Sequence, residues 1–252
     1  MNSNIVRFGL VAAAVVVVAI LGIRFLLPGQ NIGPPGPTPT PTATPVALPD
    51  GPLAAGTYIF SPFDGPDGGW GACGPQPAAP SCDPTEAASI SFTFTVPDGW
   101  GGYPVASTVW LADRLASAPD GASLSFMRGN WLASDPCAEA VMDIPVGPTV
   151  DDFANALADH PLLDVTTPVD VTLGGYSGKY VDLQTPADLA GCTYYRPWDP
   201  GIYAQGPGQR WHLWILDVDG IRVVVHADDY AGTSPQHQAE LQAIVDSIQI
   251  EP

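Results

Sequence analysis

Apolar and polar positions change period several times along this chain, and the changes mark its elements. Ser89-Ile-Ser-Phe-Thr-Phe-Thr-Val96 alternates strictly. That places Ile90, Phe92, Phe94 and Val96 on one face of a half-buried strand. Thr57–Phe60, Thr108–Leu111 and Ala122–Met127 read as further strands. Val169–Leu173 and Tyr176–Leu183 flank Gly174-Gly175, a two-residue hairpin loop that fixes register. Asp170 then faces Lys179, the only lysine in the chain. Trp211–Val218 and Ile221–Ala227 flank Asp219-Gly220, a strong type I′ turn signal. In that register Asp217 faces Arg222 and Trp214 faces Val225. Both faces of this second hairpin are largely apolar, which predicts a central position covered on both sides.

Two helices are expected. Thr149 with Asp152 forms a capping-box-like start, Val150, Phe153 and Leu157 make a buried stripe, and Pro161 ends the segment. Ser234-Pro235 opens the second, where Leu241, Ile244, Val245 and Ile248 follow helical spacing. The expected fold class is α+β: an antiparallel sheet of hairpins with helices packed on one side of it. The face carrying Trp214 and Leu216 is expected to meet Leu241, Ile244 and Val245.

Before these elements the pattern is different. Phe8–Leu27 is apolar except for Arg24 and is about 30 Å long as a helix, enough to cross a bilayer core. No small-x-small cleavage pattern follows it, so residues 1–27 are read as an uncleaved anchor and not as a signal peptide. No Lys or Arg occurs between Arg24 and Arg114. Such a segment is readily translocated, which predicts a single-pass cell-membrane protein with its N-terminus cytoplasmic and its domain outside. Residues 28–56, rich in Pro and Thr, read as a linker of polyproline II character, and residues 57–252 as the extracytoplasmic domain.

Net charge narrows the partners. Eight Lys+Arg against 26 Asp+Glu give −18, which opposes binding to nucleic acid. The four cysteines all fall in the outer domain. Their spacing lacks a C-x-x-C metal pattern, and an oxidising compartment favours disulfides. Cys73 and Cys82 bracket a turn-rich loop that closes on itself, which leaves Cys137 to pair with Cys192.

The hairpin Trp214-Ile-Leu-Asp-Val-Asp-Gly-Ile-Arg-Val-Val-Val225, followed by the amphipathic segment ending Ile-Val-Asp-Ser-Ile-Gln-Ile250, resembles the PsbP-like α+β fold. Residues 150–250 also look like a group of uncharacterised, membrane-tethered bacterial extracytoplasmic domains. The shared motifs are structural, so the resemblance implies a fold and no activity.

Candidate chemistry is sparse. His226, Asp228 and Asp229 cluster at a strand end and could hold a divalent metal or serve a metal-dependent enzyme. The alternation of the hairpin sends His212 and His226 to opposite faces, which weighs against it. Asp217-Val-Asp219-Gly220 lacks the further oxygen ligands of a calcium loop and is read as a turn. No nucleophile elbow or dinucleotide motif occurs, and no cofactor is implied. Seven tryptophans remain as a pointer to binding. Trp70, Trp100 and Trp198 lie among Gly, Pro and Asp, hence on loops, where exposed rings stack on sugars or anchor a partner. The sequence is therefore read as a membrane-anchored extracytoplasmic binding or sensing module without catalysis. The alternatives are a carbohydrate-binding surface protein using those loop tryptophans, and a cell-surface hydrolase or metal-dependent enzyme.

Overall fold

A computed structural model describes residues 44–63, 90–104, 108–112, 118–137, 141–199, 201 and 203–252. The segment Phe8–Leu27 read as an anchor, Trp70, and the expected Cys73–Cys82 pair lie outside them. Among the described residues no helix is long and apolar enough to cross a membrane.

Strands dominate. A nine-stranded sheet runs in the order β10 (Asp164–Val165), β12 (Tyr176–Gln184), β14 (Gln209–Val218), β15 (Ile221–Tyr230), β7 (Ala122–Met127), β6 (Thr108–Leu111), β5 (Trp100–Tyr103), β2 (Gly51–Pro52), with β11 (Val169–Leu173) also on β12. A second sheet contains β1 (Val46–Ala47), β3 (Gly56–Phe60), β4 (Ser91–Val96) and β16 (Gln249–Glu251). A third contains β13 (Trp198–Asp199), β8 (Trp131–Ala133) and β9 (Met142–Pro145). All pairings are antiparallel except β1 with β3. The described helices are α1 (Val150–Ala158) and α2 (Pro235–Asp246).

The expected α+β class is therefore corrected to a predominantly antiparallel β architecture. The two helices do not form a layer on one side; they lie on opposite faces of the large sheet. The apolar faces assigned above to helix packing are covered largely by other strands. Phe92, Phe94 and Val96 of β4 share a core with Trp214, Leu216, Val223 and Val225 of the large sheet, and Leu241, Ile244 and Val245 of α2 complete that layer. On the other face Phe153, Ala154 and Leu157 of α1 meet Val181, Leu213, Ile215 and Val224, together with Leu132 and Trp198 of the third sheet. β14 and β15 are thus covered on both faces, as their pattern requires. Val46–Pro52, at the end of the segment read as linker, contribute strands to the fold.

Both hairpins take the register that their turns dictate. Asp170 faces Lys179, and the ammonium donates to the carboxylate at 2.6 Å. Asp217 faces Arg222 in register, but the two side chains turn apart. Asp217 instead accepts the Gly220 N–H at 2.7 Å, closing its own turn. Arg222 turns inward over the Phe153 ring and donates to the carbonyls of Gly147, Thr149 and Gly129. Gly147 and Thr149 border the start of α1, so Arg222 ties that start to Gly129, just past the end of β7. At that start Thr149 and Asp152 exchange capping-box bonds of 3.1 and 2.9 Å. Cys137 and Cys192 are joined by a disulfide.

Candidate functional site

Alternation along β12, β14 and β15 sends Tyr180, Asp182, Arg210, His212, Trp214 and Asp229 to the face that α2 crosses. Between this face and the helix lies a cleft of about 250 Å³ lined by Tyr180, Arg210, His212, Trp214 and Asp229 from the sheet. Trp214 and Tyr180 form its apolar floor, with ring centroids 5.1 Å apart. Gln238 and Gln242 of α2 face them across it.

The polar groups are held by one another. Asp229 accepts two bonds of 2.7 Å from the Arg210 guanidinium and one of 3.0 Å from the Gln238 amide. This fork geometry fixes both charges in one plane. His212 Nδ1 donates to Asp182 at 2.6 Å, and its Nε2 lies 3.6 Å from Asp229. The imidazole thus bridges two carboxylates. Burial alone would lower its pKa; Asp229 and Asp182 outweigh burial and raise it. Burial likewise works to raise Asp229, but His212 and Arg210 hold it below the usual carboxylate range. The Tyr180 hydroxyl donates to Asp182, and burial, then that bond, push its pKa up.

Chemically the cleft offers fixed donors and acceptors over an aromatic floor. Among the described residues no serine, threonine or cysteine lines it. Tyr180 is kept protonated, and His212 is engaged by carboxylates on both sides. Every polar side chain described in the cleft is thus already held by a neighbour.

The residues singled out from sequence are dispersed. Trp100 is fully buried in β5 and donates from Nε1 to Glu240 of α2 at 3.2 Å. Trp198 is fully buried in β13, edge-on to Phe153 and Trp211. Neither ring is presented to solvent. The His226, Asp228, Asp229 group is divided by the pleat: Asp229 joins the α2 cleft, while His226 and Asp228 point into the opposite core. No group of three or more His, Cys, Asp or Glu side chains able to hold a metal occurs among the described residues. His226 is fully buried beside Trp211 and Trp198, with no hydrogen-bond partner on either ring nitrogen. Burial, aided by the charge of His212, pushes its pKa down to about 3, so it is neutral. Asp228 accepts from Ser123 and, at 2.5 Å, from Gln209. Burial nevertheless pushes its carboxyl up to about 7.

Tyr180, Asp182, Arg210 and Gln238 were not found from sequence. Tyr180 and Asp182 do share a strand face, but only the β12–β14 pairing brings them to His212. Gln238 arrives from a helix whose docking the local pattern does not specify.

No protein-family model and no curated protein matches the chain. Solved structures similar to it include two crystal structures. One is of LpqN, described as involved in cell envelope biogenesis of Mycobacterium tuberculosis. It is 14% identical, with 65% of this chain and 85% of that one covered and a TM-score of 0.38. The other is from Bacteroides thetaiotaomicron VPI-5482, is 13% identical and has a TM-score of 0.31; 64% of this chain and 45% of that one are covered, so this chain spans under half of its length. Likenesses this distant carry no argument about function, and they do not confirm the PsbP-like resemblance.

Proposed function

We propose that the chain is an extracytoplasmic binding module, tethered by residues 8–27 and without catalysis, whose α2 cleft takes a small polyhydroxylated ligand such as a single sugar ring. The observation that carries this reading is the pairing of the Trp214–Tyr180 floor with a rim in which Asp182, His212, Arg210 and Asp229 are already fixed by mutual bonds. An aromatic floor suits the apolar face of a sugar, and a preorganised rim suits its hydroxyls. The rim brings together cationic and anionic groups of comparable number, so a neutral ligand suits it better than a charged one. The disulfide agrees with an oxidising compartment outside the cytoplasm.

The test is calorimetric titration of the full chain in detergent with neutral mono- and disaccharides. Saturable binding that Trp214→Leu weakens about tenfold supports the reading. Absence of saturable heat for every saccharide, or binding indifferent to Trp214→Leu, overturns it.

A further inference from the structure

His212 stands between two carboxylates because two registers place them there. Asp182 on β12 is its direct cross-strand partner, and Asp229 on β15 faces Arg210, two residues along the same face. A diagonal neighbour at that spacing is within reach of an imidazole. Each ring nitrogen is committed to a different acid. Nδ1 lies 2.6 Å from Asp182 Oδ1, which also accepts from the Tyr180 hydroxyl. Nε2 lies 3.6 Å from Asp229 Oδ1, which also accepts from Arg210 Nε. Asp229 Oδ2 accepts from the Gln238 amide, so the same carboxylate joins the imidazole to α2.

A neutral imidazole has one N–H. Whichever nitrogen keeps it, the other turns a lone pair toward a carboxylate. The imidazolium alone serves both. With it, Arg210 and His212 balance Asp182 and Asp229; without its proton one anion is left over. The neighbouring groups do not make up the difference. Tyr180 on β12 stays a neutral phenol, and His226, behind the sheet with Asp228, stays a neutral imidazole. From α2 the cleft receives Gln238 and Gln242, both uncharged. That helix's carboxylates bond elsewhere, Glu240 to Trp100 and Gln236, Asp246 to Gln242, and His237 does not line the cleft.

We propose that His212 is a proton latch on this cleft: the imidazolium ties β12 to β15, and loss of its proton releases Asp229, the more distant of its two acids. Burial alone would lower the His212 pKa, but Asp229 and Asp182 outweigh burial and raise it, so the latch opens on the alkaline side of 6.5. Its effect on a ligand rests on the binding reading above. A neutral ligand that seals the cleft strips water from the rim, and that costs less when the charges balance than when one anion is left over. Binding and protonation therefore favour each other, by the same factor in both directions.

The experiment is NMR of the full chain in detergent, with labelled histidine and glutamine, from about pH 5 to 9, alone and with glucose, mannose or maltose. The chain has four histidines, and His212→Gln identifies the resonance that matters. If that variant does not fold, Asp182→Asn identifies it by lowering its midpoint by about one pH unit. His212 is expected to titrate with a midpoint above 6.5, and the Gln238 side-chain amide, assigned by Gln238→Ala, to shift with the same midpoint. A His212 midpoint at or below 6.5, or a Gln238 amide indifferent to that titration, overturns the latch whether or not a sugar binds. Where a sugar binds, saturation should raise the midpoint by about one pH unit and its affinity should fall about tenfold above it. Binding that leaves the midpoint unmoved also overturns the proposal. Joint titration of His212 and Gln238 with no sugar bound supports the latch and refutes the sugar reading.

Discussion

Replacing Asp228 by asparagine should stabilise the protein at alkaline pH. The carboxyl is fully buried, and burial lifts its pKa from 3.8 to about 7 despite the Ser123 and Gln209 bonds. A carboxyl with a raised folded pKa holds its proton more tightly in the folded chain than in the unfolded one. The native state therefore loses stability as pH rises from 3.8 to about 7, and the loss is complete above that range. Three units at about 1.4 kcal/mol each amount to about 4 kcal/mol. Asparagine reproduces the protonated form: its Oδ1 accepts from Gln209 and its Nδ2 donates to the Ser123 hydroxyl oxygen. Relaxation around the ionised group reduces the penalty, so the gain from Asp228→Asn at pH 8 should be about 2–4 kcal/mol. The advantage should grow with pH from about pH 4, by at most roughly 1.4 kcal/mol per unit, and level off by about pH 7. His226, with its lowered folded pKa, gives an opposite slope below 6.5, but it does so in both proteins and cancels in the difference. Urea unfolding of parent and variant across pH 4–8 measures that difference. A variant less stable than the parent at pH 8, or an advantage independent of pH, would refute the reasoning.

Two further outcomes are expected. A Cβ at Gly178 would lie 2.0 Å from the Ile215 carbonyl oxygen across the β12–β14 pairing, so Gly178→Ala should cost about 2–3 kcal/mol, read as a fall in thermal midpoint. Removing the Cys137–Cys192 bond, which spans 55 residues, by paired alanine substitution should cost about 4 kcal/mol on the chain-entropy model, measured by urea unfolding without reductant.

Periodicity made β3, β4, β6, β7, both hairpins and both helices legible, because each carries its own face pattern or its own turn. Two-residue loops did more, fixing every cross-strand pair of β11–β12 and β14–β15. Pairings between distant segments left no local mark. β16 is three residues long, and β8 and β13 are held by each other, so none shows a period of its own. Overlooking them left β4 without its second partner, hid the third sheet, and gave the helices too large a share of the covering. Trp100 and Trp198 were misjudged through their neighbours. Gly101 and Gly102 mark close backbone packing in β5, where a Cβ would meet Trp110 and the Pro49 carbonyl. Asp199 beside Trp198 is buried and paired with Arg196, so its polarity says nothing about exposure. Splitting of Asp229 from His226 and Asp228 followed from alternation alone and was readable from the hairpin. That Asp182, Arg210 and Gln238 gather around His212 depends on tertiary docking, which one sequence does not display.

The pairing of β16 with β4 also sets an order of events during synthesis. Ser91 and Glu251, which bond across that edge, are 160 residues apart. At ribosomal speeds of about 5–20 residues per second, about 10–30 s separate the emergence of the first from that of the second. Throughout that interval one flank of β4 has no strand to pair with, and the Leu241, Ile244 and Val245 cover for its phenylalanines does not yet exist. The nascent chain therefore carries an open apolar edge for most of the time the domain takes to be made. Until the closing segment arrives, Phe92 and Phe94 lack part of the cover they have in the finished domain.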